Sequence, residues 1–225
     1  MNNLVAQWLK ENITLVRRGR GEELYTKFSE RFGYYSFSYL TDCLLEVLSF
    51  DEVLSMFKSQ IPDGCFKHCE LGVAYIPDNI TYIGSSAFSE SEIKSISLPA
   101  AIFGVSVLKD CVELEYADIR SRSGITSDYK TSPYMFSCCY SLTTVTLDIP
   151  IISTHTCASC TKLTDVVLRE SVTSIQANAF RGCVRLKSIV YLGTIEQFNK
   201  IKLDPKWANG SSIHKIICTD GDIKL

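Results

Sequence analysis

Residues Val172–Tyr191 read VTSIQANAFRGCVRLKSIVY. They place Ile175, Ala179, Phe180, Cys183, Leu186, Ile189 and Tyr191 at intervals that fit neither a lone amphipathic helix nor a lone strand. The same spacing recurs upstream, which marks a repeat rather than an isolated element. The position held by Phe180 is filled by Phe66, Phe88, Leu108, Phe136 and Cys157 in five earlier units, with successive steps of 22, 20, 28, 21 and 23 residues. Only the third step is long. Its excess falls in Arg120–Pro133, RSRSGITSDYKTSP, a polar segment expected to leave the array as a loop.

Residues 1–58 lack the repeat and show a helical period instead. Asn2 or Asn3 can cap a first helix with Leu4, Val5, Trp8 and Leu9 on one face. A second is expected from Glu22, burying Leu24, Tyr25, Phe28 and Phe32 and stopped by Gly33. Ser36 or Ser38 opens a third, with Tyr39, Leu40, Cys43, Leu44 and Val47 inward, and Asp51 caps a short fourth running to Phe57. So small a bundle is marginal alone and gains from docking on the repeats beside it.

The units carry the pattern Ile-Gly-x-x-Ala-Phe-x-x-Cys-x-x-Leu-x-x-Ile-x-Leu-Pro, most fully in residues 80–99 and 172–191. This resembles the BspA-type leucine-rich repeat, over about two thirds of the chain. The tail, YLGTIEQFNKIKL followed by HKIICTDG, is similar to the closing segment of bacterial and phage members. The resemblance implies an α+β chain: a helical N-terminal domain or cap over 1–58, a solenoid of about six repeats over 59–192, and a C-terminal capping segment over 193–225. Each unit then adds a short strand to a parallel sheet, and apolar positions stack in columns. Cys69, Cys111, Cys139, Cys160 and Cys183 share one column, with Ser91 in the second unit, where a buried thiol packs as a small hydrophobe. Trp207 and Ile213–Cys218 are expected to cover the open end and its strand edge.

Composition narrows the function. Lys plus Arg is 23 against Asp plus Glu 25, and a net charge of −2 argues against duplex DNA or an anionic membrane as a dominant partner. No run of eighteen apolar residues is present. The start, MNNLVAQWLKENITLVRRGRG, has no basic-then-apolar export pattern, so the expected location is a bacterial cytoplasm, where the ten cysteines stay thiols. Secreted surface members of the family differ in this respect, and small phage and prophage members share it.

Chemistry is sparse. Cys157 and Cys160 have the spacing of a redox pair or half a zinc site, but both fall on repeat positions. Cys65, His68 and Cys69, with Cys138 and Cys139, could ligate zinc, and most of these are repeat positions too. His155 and His214 have no partners at triad spacing, and no glycine loop for phosphate is present. The reading is therefore a protein that is not an enzyme and takes no cofactor or metal.

Function is expected on a surface. With strands of the form Leu-x-x-Ile-x-Leu, the sheet faces outward with Lys94, Ser95 and Ser97; Glu115, Tyr116 and Asp118; Thr143, Thr144 and Thr146; Thr164, Asp165 and Val167; Lys187, Ser188 and Val190. Six strands give a face of about 400 Å², against about 800 Å² per partner in a standard interface. A protein partner is thus expected also to touch the 120–133 loop, where Arg120, Arg122, Tyr129 and the adjoining Tyr134 are residue types enriched at hot spots. A virion accessory protein, or an inhibitor of a host defence complex, fits what the resemblance implies. The alternative is nucleic-acid binding. The order WLKEN, a basic turn, then EELYTKF is similar to a winged-helix segment of phage and poxvirus-type primase-helicases, in which Arg17, Arg18 and Arg20 would meet phosphates.

Overall fold

The structure is a computed structural model describing residues 3–18, 20–32 and 37–225. It opens with four helices, α1 (Asn3–Arg17), α2 (Gly21–Phe32), α3 (Phe37–Leu45) and α4 (Phe50–Leu54). In α1 the buried positions are Val5, Leu9, Leu15 and Val16. Leu4, expected on that face, lies about 100° round the helix from Val5 and is 63% exposed. Val47 is also exposed rather than inward, because α3 ends at Leu45 and the helical period stops with it. The cap of α4 is Ser49, not Asp51: its side chain accepts from the Glu52 N–H while Glu52 reaches back to the Ser49 N–H, a reciprocal capping box. The cap expected at Asn2, the stop at Gly33 and the alternative opening at Ser36 lie outside the described residues, as does the side chain of Asn3.

Trp8 meets Phe28 and Phe32 edge-on at 5.4 and 5.8 Å, giving the helices a small aromatic core. That core is joined to the repeats. Phe50 and Phe57 pack edge-on against Phe66 of the first coil, and Thr41 Oγ1 lies 3.6 Å from Cys65 Sγ. The winged-helix likeness is not supported, since among the described residues no strand precedes Gln60 and a wing needs a β-hairpin.

The repeats wind as coils with one short and one longer strand each. These are β1 (Gln60–Ile61) and β2 (Glu70–Tyr75), β3 (Tyr82–Ile83) and β4 (Glu92–Pro99), then β5 (Ile102–Phe103) and β6 (Tyr116–Arg120). β7 (Thr144–Leu147) comes after the insertion, then β8 (Ile151–Ile152) with β9 (Asp165–Leu168) and β10 (Ser174–Ile175) with β11 (Ser188–Tyr191). After a short helix α5 (Ile195–Phe198) come β12 (Lys202–Leu203), β13 (Lys215–Cys218) and β14 (Gly221–Lys224). The longer strands form one eight-stranded sheet in the order β14-β13-β11-β9-β7-β6-β4-β2, parallel except for the terminal hairpin. The short strands form two three-stranded ladders on the opposite wall, β1-β3-β5 and β12-β10-β8.

The C-terminal segment thus does more than cover an edge. β12 and β13 build a seventh, degenerate coil, with Trp207 standing edge-on to Phe180 at 6.0 Å. Ile213, Ile216 and Cys218 keep the Leu-x-x-Ile-x-Leu spacing, a signal present in the sequence. The long step also resolves differently at its ends. Arg120 belongs to β6, Lys130 bridges to Ile151 in the opposite wall, and Thr131 and Ser132 are fully buried.

Candidate binding surface

The register aligns the outward side chains into two rows across the sheet. One runs Val73, Ser95, Tyr116, Thr144, Asp165, Ser188, Lys215, and the other Tyr75, Ser97, Asp118, Thr146, Val167, Val190, Ile217. All are exposed or half-buried, whereas the alternate residues Ala74, Ile96, Ala117, Val145, Val166, Ile189 and Ile216 are buried. The period-two pleat of the sheet produces this sorting. Lys94, Glu115 and Lys187 are exposed at the start of their strands.

Val73 and Tyr75, the outward residues of the first strand, are additional to those expected from the sequence. Leu71-Gly-Val-Ala74-Tyr-Ile76 fits the repeat spacing, and Val73 and Tyr75 come out 74% and 56% exposed. Gly72 sits at φ +62° where the ladder shifts register, a bulge that breaks the strand pattern.

Arg120 and Arg122 are tied down rather than free. Arg120 lies over the Tyr75 ring, 4.0 Å from its centroid, and donates to Ile76 O (2.6 Å), Asp78 Oδ1 (3.0 Å) and Ser97 Oγ (3.1 Å). Ser97 Oγ in turn donates to Asp118 Oδ2 at 3.1 Å. Arg122 donates to the carbonyls of Asp78 and Ile80 at 3.2 and 3.0 Å. The two arginines staple the third coil to the first. Arg120→Ala is expected to cost about 2 kcal/mol in urea unfolding, because it strips a charged donor from a carbonyl and two side chains. Arg120→Lys recovers little, since an ammonium cannot both stack and fork.

Tyr129 and Tyr134 do not join the sheet face. Thr131 N–H donates to Ile151 O and Ile151 N–H to Tyr129 O, which puts Tyr129 in the opposite wall, half-buried. Tyr134 starts the next turn and stacks on His155 with centroids 4.7 Å apart. The expected surface of sheet plus loop is therefore split over two walls, and only Arg120 of the loop residues borders the sheet face. At the N-terminus, Arg20 is ion-paired with Glu23 and Arg18 is exposed, while the Arg17 side chain lies outside the described residues. Arg20 also borders a cleft of about 550 Å³ between α2 and β1, with Lys58, Gln60 and Tyr82.

The cysteine column has a bonding role that spacing did not show. Cys111, Cys139, Cys160 and Cys183 donate their thiol hydrogens to the carbonyls of Phe88, Leu108, Phe136 and Cys157, the Phe-position residue one coil back, at 3.0–3.2 Å. Ser91 instead donates to Phe88 O of its own coil at 2.6 Å. Redox or zinc chemistry needs accessible thiolates, and burial works against them. It pushes Cys65 up to about 12 and Cys69 and Cys183 higher still. Cys160's hydrogen bond pulls Cys157 down, but burial and the neighbouring thiols leave it raised, and Cys160 itself is held well up by burial. His68 sits exposed, 3.7 Å from Glu90, turned away from Cys65 and Cys69. No group of three or more His, Cys, Asp or Glu is placed to hold a metal among the described residues.

Cys138 is the one half-exposed thiol, because its backbone is left-handed (φ +62°) and turns the side chain outward. Iodoacetamide on the native protein is expected to label Cys138 alone, with the other nine reacting only in denaturant. The raised thiols also set an alkaline limit. Their contribution is intact below the unfolded thiol value near 8.5 and is lost as pH rises towards about 12. Melting temperature should accordingly fall between pH 8 and 10.5 and recover on return.

Residues 59–187 and 129–202 match the BspA type leucine rich repeat region, in six copies. The chain belongs to the BspA-type leucine-rich repeat family. Among solved structures, this BspA-type chain is similar to a leucine-rich repeat protein of Eubacterium ventriosum, with 23% identity and a TM-score of 0.57 over 75% of this chain and 45% of that one. It is also similar to one of Bacteroides ovatus (21% identity, TM-score 0.45, 73% of this chain and 48% of that one). The chain thus spans about half the length of either. At these identities the likeness concerns the fold. No curated protein matches the chain by sequence. Leucine-rich repeats of this kind serve generally as scaffolds for protein interaction, and no helix here is long and apolar enough to cross a membrane among the described residues.

Proposed function

We propose that this chain is a non-catalytic module that binds a protein partner on the open face of its eight-stranded sheet. The observation that carries the reading is the pair of continuous outward rows, held by the buried alternate residues. Eight strands at about 4.8 Å, each about 13 Å long, give about 500 Å², still below the about 800 Å² a stable partner covers. The partner therefore extends onto the rim, where Lys94, Glu115 and Lys187 project below the rows and Arg120 stands above them. A module without chemistry acts by occupancy, as an inhibitor or an accessory subunit.

The test is affinity capture from bacterial lysate with matched variants. Thr146→Arg, central on the face, is expected to weaken recovery of a specific partner by about 2 kcal/mol or roughly thirtyfold. Ile102→Lys, exposed on the opposite wall, should leave it unchanged. Equal recovery by both variants, with unchanged melting temperatures, sinks the reading.

A further inference from the structure

We infer that the outer edge of β2 accepts an extended, lysine- or arginine-bearing segment of another protein as an added strand. This deepens the protein-binding reading above by naming a second contact and the chemistry of what fills it.

The two edges of the large sheet differ. At one end, β14 is an antiparallel hairpin strand bearing Asp222 and Lys224, with Lys215 and Asp222 paired at 3.2 Å. Charged side chains on a short edge strand are the usual protection against further pairing. At the other end, no strand pairs with the outer side of β2 among the described residues. That strand shows Val73 and Tyr75 to solvent and carries no lysine or proline between Glu70 and Tyr75, and its bulge at Gly72 precedes the regularly paired stretch Val73–Tyr75, which is the part offered to a partner. Ile76 N–H donates to Ser97 O at 2.9 Å. By the two-residue alternation of a parallel ladder, the N–H groups of Val73 and Tyr75 then face away from β4. An open edge of this kind is the template used in strand addition, where main-chain bonds supply affinity and flanking side chains supply selectivity.

Tyr75 is already set for contact. Arg120 covers one face of its ring and is itself held by three hydrogen bonds. A partner that covers the other face meets an aromatic whose ordering cost has been met in the free protein.

Charge selects the occupant. Residues 59–128 hold ten acidic against five basic residues, whereas 129–225 hold seven acidic against eleven basic. Glu70 and Glu92 are register partners at the start of β2 and β4, and exposed Glu113 and Glu115 lie on the next coil. Like charges side by side on a ladder are unfavourable alone, and a cation between them removes that cost. A second copy pairing through its own β2 would instead bring two such acidic segments together. The fitting occupant is a cationic strand from a different chain.

The test uses the full chain and two fluorescein-labelled heptapeptides, one alternating lysine and valine, the other glutamate and valine, read by anisotropy. The lysine peptide is expected to bind in the micromolar range and the glutamate peptide about tenfold more weakly or not at all in about 50 mM salt, the gap narrowing as salt rises. Val73→Lys should abolish lysine-peptide binding, while Val73→Thr, checked for an unchanged melting temperature, retains it. The double variant Glu70→Lys/Glu92→Lys should reverse the preference. Equal binding of the two peptides, no binding of either, or full binding by Val73→Lys overturns the inference. Thr146→Arg separates the two readings. Peptide binding that survives it while lysate capture is lost places the contacts apart. Capture that depends on Thr146 with no peptide binding overturns the edge alone.

Discussion

Phe136→Ala lowers the unfolding free energy by about 3–5 kcal/mol, the range for emptying a buried aromatic site. The upper part of that range is expected because the void cannot close. Phe136 is fully buried, and its neighbours in the column are the smaller Leu108 on one side and Cys157 on the other, so no adjacent ring leans in. Its backbone is also fixed, with Phe136 N–H donating to Thr156 O at 2.7 Å and its carbonyl accepting from Cys160 Sγ at 3.0 Å. By contrast, Phe66 and Phe88 stack on each other at 5.1 Å, where one ring could shift into space left by the other. Urea denaturation followed by circular dichroism gives the measurement. Phe136→Leu should cost under about 1.5 kcal/mol, and a similar cost for Leu and Ala would mean that volume is not what the column needs. Because the fourth coil is stacked between two others, the loss also reports on both of its interfaces.

Gly104→Ala is the second substitution with a large expected effect, about 3 kcal/mol or more, from overpacking against immobile atoms. A Cβ built there would lie 2.3 Å from Ser85 N and 2.7 Å from Gly84 C, backbone atoms of the coil before. Gly104 N–H donates to Ile83 O at 2.8 Å, so the two coils touch main chain to main chain at the entry to the turn. Gly84 stands in the same relation to the first coil, 2.4 Å from Asp63 N. The later coils tolerate side chains at the corresponding place, with Gln176 N–H donating to Ile152 O, so the demand for glycine belongs to these two coils. Gly124→Ala is the control. Its added methyl meets nothing within 4 Å, and at φ +82° it should cost only about 1 kcal/mol. A Gly104→Ala protein as stable as the control would mean that the coils can separate there.

The solenoid was legible because it is local and repeated. Each coil spends its apolar residues on the same columns, so the spacing of Phe66, Phe88, Phe136 and Phe180 reports inward-facing positions several times over. The outward rows came from the same spacing, since a strand whose alternate residues are fixed inward has no freedom over the others. Single-copy features were less legible. Leu4 was misplaced because its neighbour Val5 takes the buried face of α1, and Val47 because α3 stops two residues before it, while the seventh coil was hidden by Trp207 where the other coils have Phe, Leu or Cys.

The sequence alone determined the repeat, its number of full copies and the outward residues of five of its strands, all of which depend on residues close together in the chain. The tertiary structure decided what depends on distant pairs. Arg120 reaches Ile76 and Asp78, more than forty residues back, which no spacing rule anticipates. Lys130 pairs with Ile151 in the far wall, and so removes Tyr129 from the face it was expected to join. It also left β2 with no strand on its outer side among the described residues, because which strand ends a sheet is set by how the coils stack and not by the sequence of any one coil.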